Sequence, residues 1–90
     1  MIVVVVSMSG EDGAVISGPD IITRGFVYVK ESEELMEELR QVAVDALDHC
    51  QDRHIRDWST IKSEMKGMLS NYLYKKTKRN PMILPVIMEV

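Results

Sequence analysis

Two short segments near the ends of the chain are apolar at consecutive positions, and this feature limits the possible folds more than any other. The first runs from Ile2 to Val6 and the second from Met82 to Met88. The β-branched residues in both segments favour strands. A sheet with helices on one face and water on the other alternates apolar and polar residues. Segments without this alternation predict strands that are covered on both faces.

Between these segments the apolar residues recur at steps of three and four, which indicates two amphipathic helices. The first helix is predicted to begin at Ser32, a natural N-cap, and its first turns carry glutamates that the helix dipole favours. The second is predicted to begin near Asp57 or Ser59, both of which can cap a helix. It is predicted to end around Lys78, shortly before Pro81.

A turn over residues 9–13, with two glycines and an acidic pair, predicts a hairpin after the first strand. Ala14–Ser17 would return antiparallel, residues 18–20 interrupt the chain, and Phe26–Val29 form a further strand segment. The sequence leaves open whether these two segments are one bent strand or two. Pro85 cannot donate to a β-ladder, so it predicts an edge position or a bulge for the last strand.

These elements predict an α+β fold in ββααβ order, with a small, mostly antiparallel sheet of three or four strands and two helices packed on one face. Ninety residues allow one small core, so residues 1–90 are expected to form a single domain. Two helices cover only one face of the sheet, and the other face is expected to bury against a second copy or a neighbouring domain. The predicted interface residues are Ile2, Val4, Val6, Ile83, Pro85 and Ile87.

No set of residues indicates a catalytic centre. His49, Cys50 and His54 come nearest to a metal cluster, but zinc needs three or four ligands and the chain has no second pair of this kind. Cys50 also continues the apolar stripe of the first helix, which favours a core cysteine beside surface histidines. Nucleophile and phosphate-binding motifs are missing from the sequence as well. We therefore predict no catalytic, cofactor-binding or metal-binding residue in this segment.

The net charge and the cysteine content bear on which partners the chain binds and in which compartment it works. The net charge of −3 argues against a surface that binds polyanions throughout. Cys50 is the single cysteine, so no intramolecular disulfide forms, and a reducing cytoplasm is expected. The apolar segment at the start is too short to span a bilayer and lacks a basic region before it, so no membrane contact is expected.

One local concentration of positive charge lies at the predicted end of the second helix, beside Tyr72 and Tyr74. Lysines next to aromatic rings can hold a phosphate backbone and stack bases, which predicts an RNA contact. The alternative, which we favour, is that these lysines complement the helix terminus and that Tyr72 packs inward. The candidate RNA contacts are Arg24, Lys75, Lys76, Lys78 and Arg79.

Three stretches resemble the end of bacterial ribonuclease J. They are Ile22-Thr23-Arg24-Gly25-Phe26-Val27-Tyr28-Val29 with Glu31-Ser32, then Trp58-Ser59-Thr60-Ile61-Lys62, and finally residues 73–90, which begin Leu73-Tyr74-Lys75-Lys76. The resemblance spans nearly the whole chain in the same order, and the part between residues 36 and 57 departs most from it.

The resemblance implies that this segment is the C-terminal domain of a much longer enzyme. That parent would join a zinc-dependent metallo-β-lactamase domain to an inserted β-CASP domain, and would process and degrade RNA both internally and from the 5′ end. Its H-x-H-x-D-H metal motif has no counterpart in residues 1–90, so zinc is expected only in the catalytic domain. The implied role is accessory: self-association or docking to the catalytic core, with RNA reached through the parent enzyme.

Overall fold

A computed structural model of the chain describes residues 1–23 and 32–90, where five elements follow in the order ββααβ. The elements are β1 (Ile2–Met8), β2 (Val15–Thr23), α1 (Ser32–Asp52), α2 (Trp58–Thr77) and β3 (Ile83–Glu89). The predicted α+β class and element order are confirmed. The predicted strand segment Phe26–Val29 lies outside the described residues.

The three described strands form one sheet in the order β2-β1-β3. β1 is antiparallel to β2, as the hairpin predicted, whereas β3 is parallel to β1, so the sheet is mixed. The parallel pairing follows from the path of the chain, because α1 and α2 together form the long crossover that parallel strands require. The amide of Ile2 donates to the carbonyl of Met82 at 2.8 Å, which joins the starts of β1 and β3. Among the described strands β3 lies at an edge of the sheet, one of the two positions that Pro85 predicted.

β2 passes without a break through the segment that the sequence marks as an interruption. Its register against β1 shifts between Val5 and Met8, as in a β-bulge. Gly18 has φ +92° there, and a Cβ at this position would lie 2.8 Å from the carbonyl oxygen of Val5. The Gly18–Pro19 peptide bond is cis. Glycine therefore allows the two strands to approach closely where the bulge occurs.

The core lies between one face of the sheet and the two helices, which confirms the predicted packing. Alternate residues of β1 point into it, and each helix contributes one stripe. Burial of each large side chain contributes about 1.5–3 kcal/mol relative to exposure. The buried hydrophobic residues are Ile2, Val4, Val6, Met8, Leu39, Ala43, Ala46, Leu47, Cys50, Ile61, Met65, Leu69, Leu73 and Ile83.

Residues on either side of α2 define its ends. Asp57 is the N-cap, and its carboxylate accepts a 2.7 Å hydrogen bond from the Thr60 hydroxyl. At the other end Lys78 adopts the left-handed conformation, with φ 58°, and its amide donates to the carbonyl of Tyr74 at 2.9 Å. Across residues 1–23 and 32–90, neither helix has the length and apolarity needed to cross a membrane.

Candidate interaction surface

The sheet face opposite the helices carries three rows of residues in register across the strands. Val3 lies between Ile22 of β2 and Leu84 of β3. In the next row Val5 lies between Asp20 and Val86, and in the last Ser7 lies between Ser17 and Met88. These residues alternate along each strand with the buried ones, so they point away from α1 and α2.

Six members of these rows are apolar and adjacent, and we call them the open face. Ile22, Leu84 and Met88 are 49%, 47% and 50% exposed, whereas the other three are half-buried by their neighbours in the sheet. Asp20, Ser7 and Ser17 are polar and lie at the β2 side and the far end. The open face therefore presents a continuous apolar area at the centre of the sheet. Its members are Val3, Val5, Ile22, Leu84, Val86 and Met88.

The open face replaces the interface residues that the sequence analysis selected. Ile2, Val4 and Val6 are fully buried against the helices, and Ile83 is 3% exposed. Pro85 and Ile87 occupy the same side of β3 as Ile83 and are half-buried, with Ile87 packed against the core. Within residues 1–23 and 32–90 neither helix covers the opposite face of the sheet, as predicted, but the residues selected for that face were wrong by one position, because a one-residue change of register exchanges the two faces of a strand.

The residues of the basic run at the end of α2 contact different partners within the domain. Lys76 Nζ lies 3.5 Å from the Glu38 carboxylate of α1. Lys78 Nζ lies 5.4 Å from the centroid of the Tyr74 ring, a cation–π geometry. The backbone amide of Arg79 donates to the Thr77 hydroxyl at 3.2 Å. The candidate RNA contacts of this run are thus partly engaged within the domain.

The remaining candidate RNA contacts are less informative. Lys75 lies in the exposed last turn of α2, and Arg24 lies outside the described residues. The arrangement agrees with the favoured alternative, in which lysines complement a helix C-terminus. RNA contact by this run stays a prediction.

A polar cluster between α1 and α2 was not predicted from the sequence, where Glu38 was treated only as one of the glutamates in the first turns of the helix. The Tyr72 hydroxyl donates a hydrogen bond to the Glu38 carboxylate, which also pairs with Lys76. This bond from Tyr72 lowers the pKa of Glu38, and Lys76 lowers it further. Burial, together with the same bond, raises the pKa of Tyr72 to about 12. The signal in the sequence was the position of Glu38 directly beside the buried Leu39.

The histidines and cysteine considered for metal binding do not form a ligand set. Cys50 is buried in the core, and burial raises the pKa of its thiol, with a smaller contribution from Glu64. His49 and His54 are exposed at the end of α1 and in the loop after it. Within residues 1–23 and 32–90, no three acidic, histidine or cysteine side chains come together as a metal site.

Comparison with known protein families matches the whole chain. Residues 1–90 fit the family model described as the ribonuclease J C-terminal domain. The chain belongs to this family. Its residue-level resemblance to ribonuclease J is thereby confirmed over the full length, and the mixed sheet with two helices is the structure of this member of the family.

Curated relatives agree with the family assignment. The chain is 42% identical over 90 residues to Ribonuclease J2 of Bacillus subtilis strain 168, with 100% of the chain and 16% of that protein covered. It is 41% identical over 92 residues to a Ribonuclease J 2 of Staphylococcus epidermidis, and 39% identical over 89 residues to one of Staphylococcus aureus, each covering 98% of the chain and 16% of the relative. The chain thus spans about a sixth of the length of these ribonucleases.

Proposed function

We infer that this chain is an accessory and assembly domain of a cytoplasmic ribonuclease J type enzyme that processes and degrades RNA. In this role the open face buries against another copy of the domain or against the nuclease core, and positions the subunits around RNA. The chemistry belongs to the rest of the enzyme, where zinc would be held, and residues 1–90 form the C-terminal domain of that longer chain.

The observation that carries this proposal is the exposure of adjacent apolar side chains at the centre of the sheet. Leu84 and Met88 are about half exposed although they lie in register with valines of the central strand. Contiguous apolar areas rimmed by polar residues mark protein–protein contacts. Because the chain spans only 16% of the length of its relative from Bacillus subtilis, the remaining segments of such an enzyme supply a partner surface.

Size adds a second argument for a covering partner. A domain of 90 residues buries a smaller fraction of its surface than larger domains do. Covering the open face would remove further apolar area from water, at about 25 cal/mol per Å². The open face therefore has a thermodynamic reason to associate.

The test places a charge on the open face. Sedimentation velocity over a concentration series measures self-association of the chain, and titration with the nuclease segment of Ribonuclease J2 from Bacillus subtilis measures docking. Leu84→Lys and Met88→Lys are expected to weaken whichever association occurs by about tenfold or more, since each buries an unpaired charge. Gln41→Lys adds the same charge on the exposed side of α1 and is expected to have no effect. A chain that neither self-associates nor binds the nuclease segment would contradict the proposal.

A further inference from the structure

A second feature, separate from the open face, lies where α1 overhangs the outer edge of β2. Three hollows occur here, and each is lined on one side by β2 or the turn before it and on the other by α1 or the loop after it. Their volumes are about 410, 270 and 240 Å³. In the described part of the chain β2 pairs only with β1, so the hollows follow an edge of the described sheet.

The three hollows lie in a row along this edge, with the 410 Å³ hollow uppermost, the 270 Å³ hollow in the middle and the 240 Å³ hollow lowest. The middle and lower hollows share Ala14 and Gln51. The upper hollow lies next to the middle one, because Asp20 follows Pro19 in β2 and Val44 lies one helical turn after Arg40. We call this row of hollows the β2–α1 groove.

One stripe of α1 forms the helical wall of the groove. Met36, Arg40, Val44, Asp48 and Gln51 line it at steps of three and four residues, and therefore share a side of the helix. From Met36 to Gln51 the helix rises about 22 Å, at about 1.5 Å per residue. An extended peptide rises about 3.3 Å per residue, so about seven residues would fill the groove.

The floor of the groove is partly apolar. Val15 and Ile21 contribute from β2 and Val44 from α1, above the buried Pro19 and Leu47. Alternate side chains of an extended peptide point to the same side, so every second residue would face this floor. An apolar residue at every second position would therefore match the groove.

The rim of the groove is predominantly acidic. Among the described residues, the rim carries four carboxylates, and two arginines oppose them. Asp20 also lines the upper hollow, but its side chain lies on the side of the sheet that faces away from α1. Arg40 lies 3.7 Å from Glu37, and Arg56 acts electrostatically on Asp12. This leaves an excess of negative charge along the rim. The four carboxylates belong to Asp12, Glu33, Glu37 and Asp48.

We propose that the β2–α1 groove binds an extended peptide segment of about seven residues that alternates apolar and basic side chains. Apolar side chains contact the floor, and lysine or arginine side chains reach the acidic rim. Pro19 has no amide hydrogen, so main-chain pairing with β2 is limited to the residues on either side of it. Side-chain contacts with the floor and the rim therefore supply most of the selectivity.

The test uses synthetic peptides with blocked ends and the 90-residue chain. A fluorescent seven-residue peptide that alternates valine and lysine is titrated with the chain, and fluorescence anisotropy is measured at low and high salt. A second peptide replaces every lysine with glutamate. The lysine peptide is expected to bind at least about tenfold more tightly, and the difference should shrink as salt screens the rim.

Two variants of α1 locate the site. Asp48→Lys reverses a charge on the rim and is expected to weaken binding of the lysine peptide by about threefold or more. Asp45→Lys makes the same change on an exposed residue outside the groove and is expected to leave binding within about twofold. Backbone amide shifts measured by NMR on addition of the peptide should fall on β2 and on the Met36–Gln51 stripe.

Several results would overturn the proposal. These are an absence of binding by the lysine peptide, equal affinity for the two peptides, or equal losses in the Asp45→Lys and Asp48→Lys variants. Amide shifts confined to the open face would also overturn it, because they would place the peptide on the surface assigned to assembly.

Discussion

The Tyr72 hydroxyl of α2 donates a hydrogen bond to the Glu38 carboxylate of α1, across 34 positions of sequence. Lys76, one turn after Tyr72, lies 3.5 Å from the same carboxylate. The first half of α1 therefore meets the last half of α2 through a polar cluster beside the core residues Leu39 and Leu73. This cluster adds a polar contact between the two helices to the packing that they share through the core.

Removal of the hydroxyl tests the contribution of this bond. Tyr72→Phe keeps the ring that packs against the core but removes the hydroxyl donor, so that Glu38 keeps only Lys76 as its partner from α2. The free energy of unfolding is expected to fall by roughly 0.5–1 kcal/mol, the range for a partly exposed hydrogen bond. Urea denaturation followed by circular dichroism measures the change.

Tyr74→Phe is the matched control for this substitution. Tyr74 is 55% exposed, and its ring would still face Lys78 after the change. The unfolding free energy of the Tyr74→Phe variant is expected to stay within about 0.3 kcal/mol of that of the unsubstituted chain, as for most surface substitutions. Equal effects of the two substitutions would show that the Tyr72 bond contributes nothing to stability.

The same bond predicts a window of pH in which it stabilises the fold, because it needs an ionised Glu38 and a protonated Tyr72. The pKa of Glu38 is lowered from 4.5 by the bond from Tyr72, so its contribution is present above pH 4.5 and is lost as the pH falls through the lower folded value. The pKa of Tyr72 is raised to about 12 from 10.0, so its contribution is present below pH 10 and is lost as the pH rises to 12.

The free energy of unfolding of the unsubstituted chain and of the Tyr72→Phe variant, measured by denaturation over pH 3–11, checks this window. The difference in stability between the two proteins should be largest at neutral pH and should decrease at both extremes. Absorbance at 295 nm should also show one phenol that ionises near pH 12 in the unsubstituted chain and is missing in the variant. A difference that does not vary with pH would contradict the assignment of the bond to these two groups.

Two glycines predict opposite effects of the same substitution. Gly18 has φ +92°, and an added Cβ would lie 2.8 Å from the Val5 carbonyl, so Gly18→Ala is expected to destabilise the fold by about 1–3 kcal/mol. Gly67 lies inside α2 with no atom within 4 Å of an added Cβ, so Gly67→Ala is expected to stabilise it by about 0.5–1 kcal/mol. Thermal denaturation of both variants measures the two effects, and a stabilised Gly18→Ala variant would contradict the tight bulge in β2.

The sequence predicted the two helices well because apolar and polar positions alternate clearly along them. The stripes of α1 and α2 are interrupted by charged residues, and the buried Ile61, Met65, Leu69 and Leu73 follow the predicted period. Ser32 and Lys78 also lie at the predicted helix limits. Where polar residues separate the apolar ones, periodicity alone fixes which side of an element is buried.

The features that the sequence did not predict lack such contrast or depend on distant partners. Val3 and Val4 are identical in type, yet Val4 is fully buried and Val3 belongs to the open face. No pattern within an all-apolar strand selects between its faces. The Tyr72–Glu38 bond and the parallel pairing of β3 join residues far apart in sequence, so no local pattern indicates them.

The assignment of faces in β3 leads to the last prediction, which compares two neighbouring residues. Ile83 is 3% exposed in the core and Leu84 is 47% exposed on the open face. Ile83→Ala is expected to destabilise the fold by about 2–4 kcal/mol, since it removes buried methyl groups and leaves a cavity. Leu84→Ala should cost less than about 1 kcal/mol in dilute solution, where the open face is uncovered.

Concentration separates folding from association in this comparison. If a second copy covers the open face, association stabilises the unsubstituted chain more as the protein concentration rises. The Leu84→Ala variant loses part of this added stability. Urea denaturation at low and high micromolar protein should therefore show that the loss of unfolding free energy caused by Leu84→Ala grows with protein concentration. The loss caused by Ile83→Ala should already be large at the lowest protein concentration. A larger effect for Leu84→Ala than for Ile83→Ala in dilute solution would show that the two faces of β3 are exchanged.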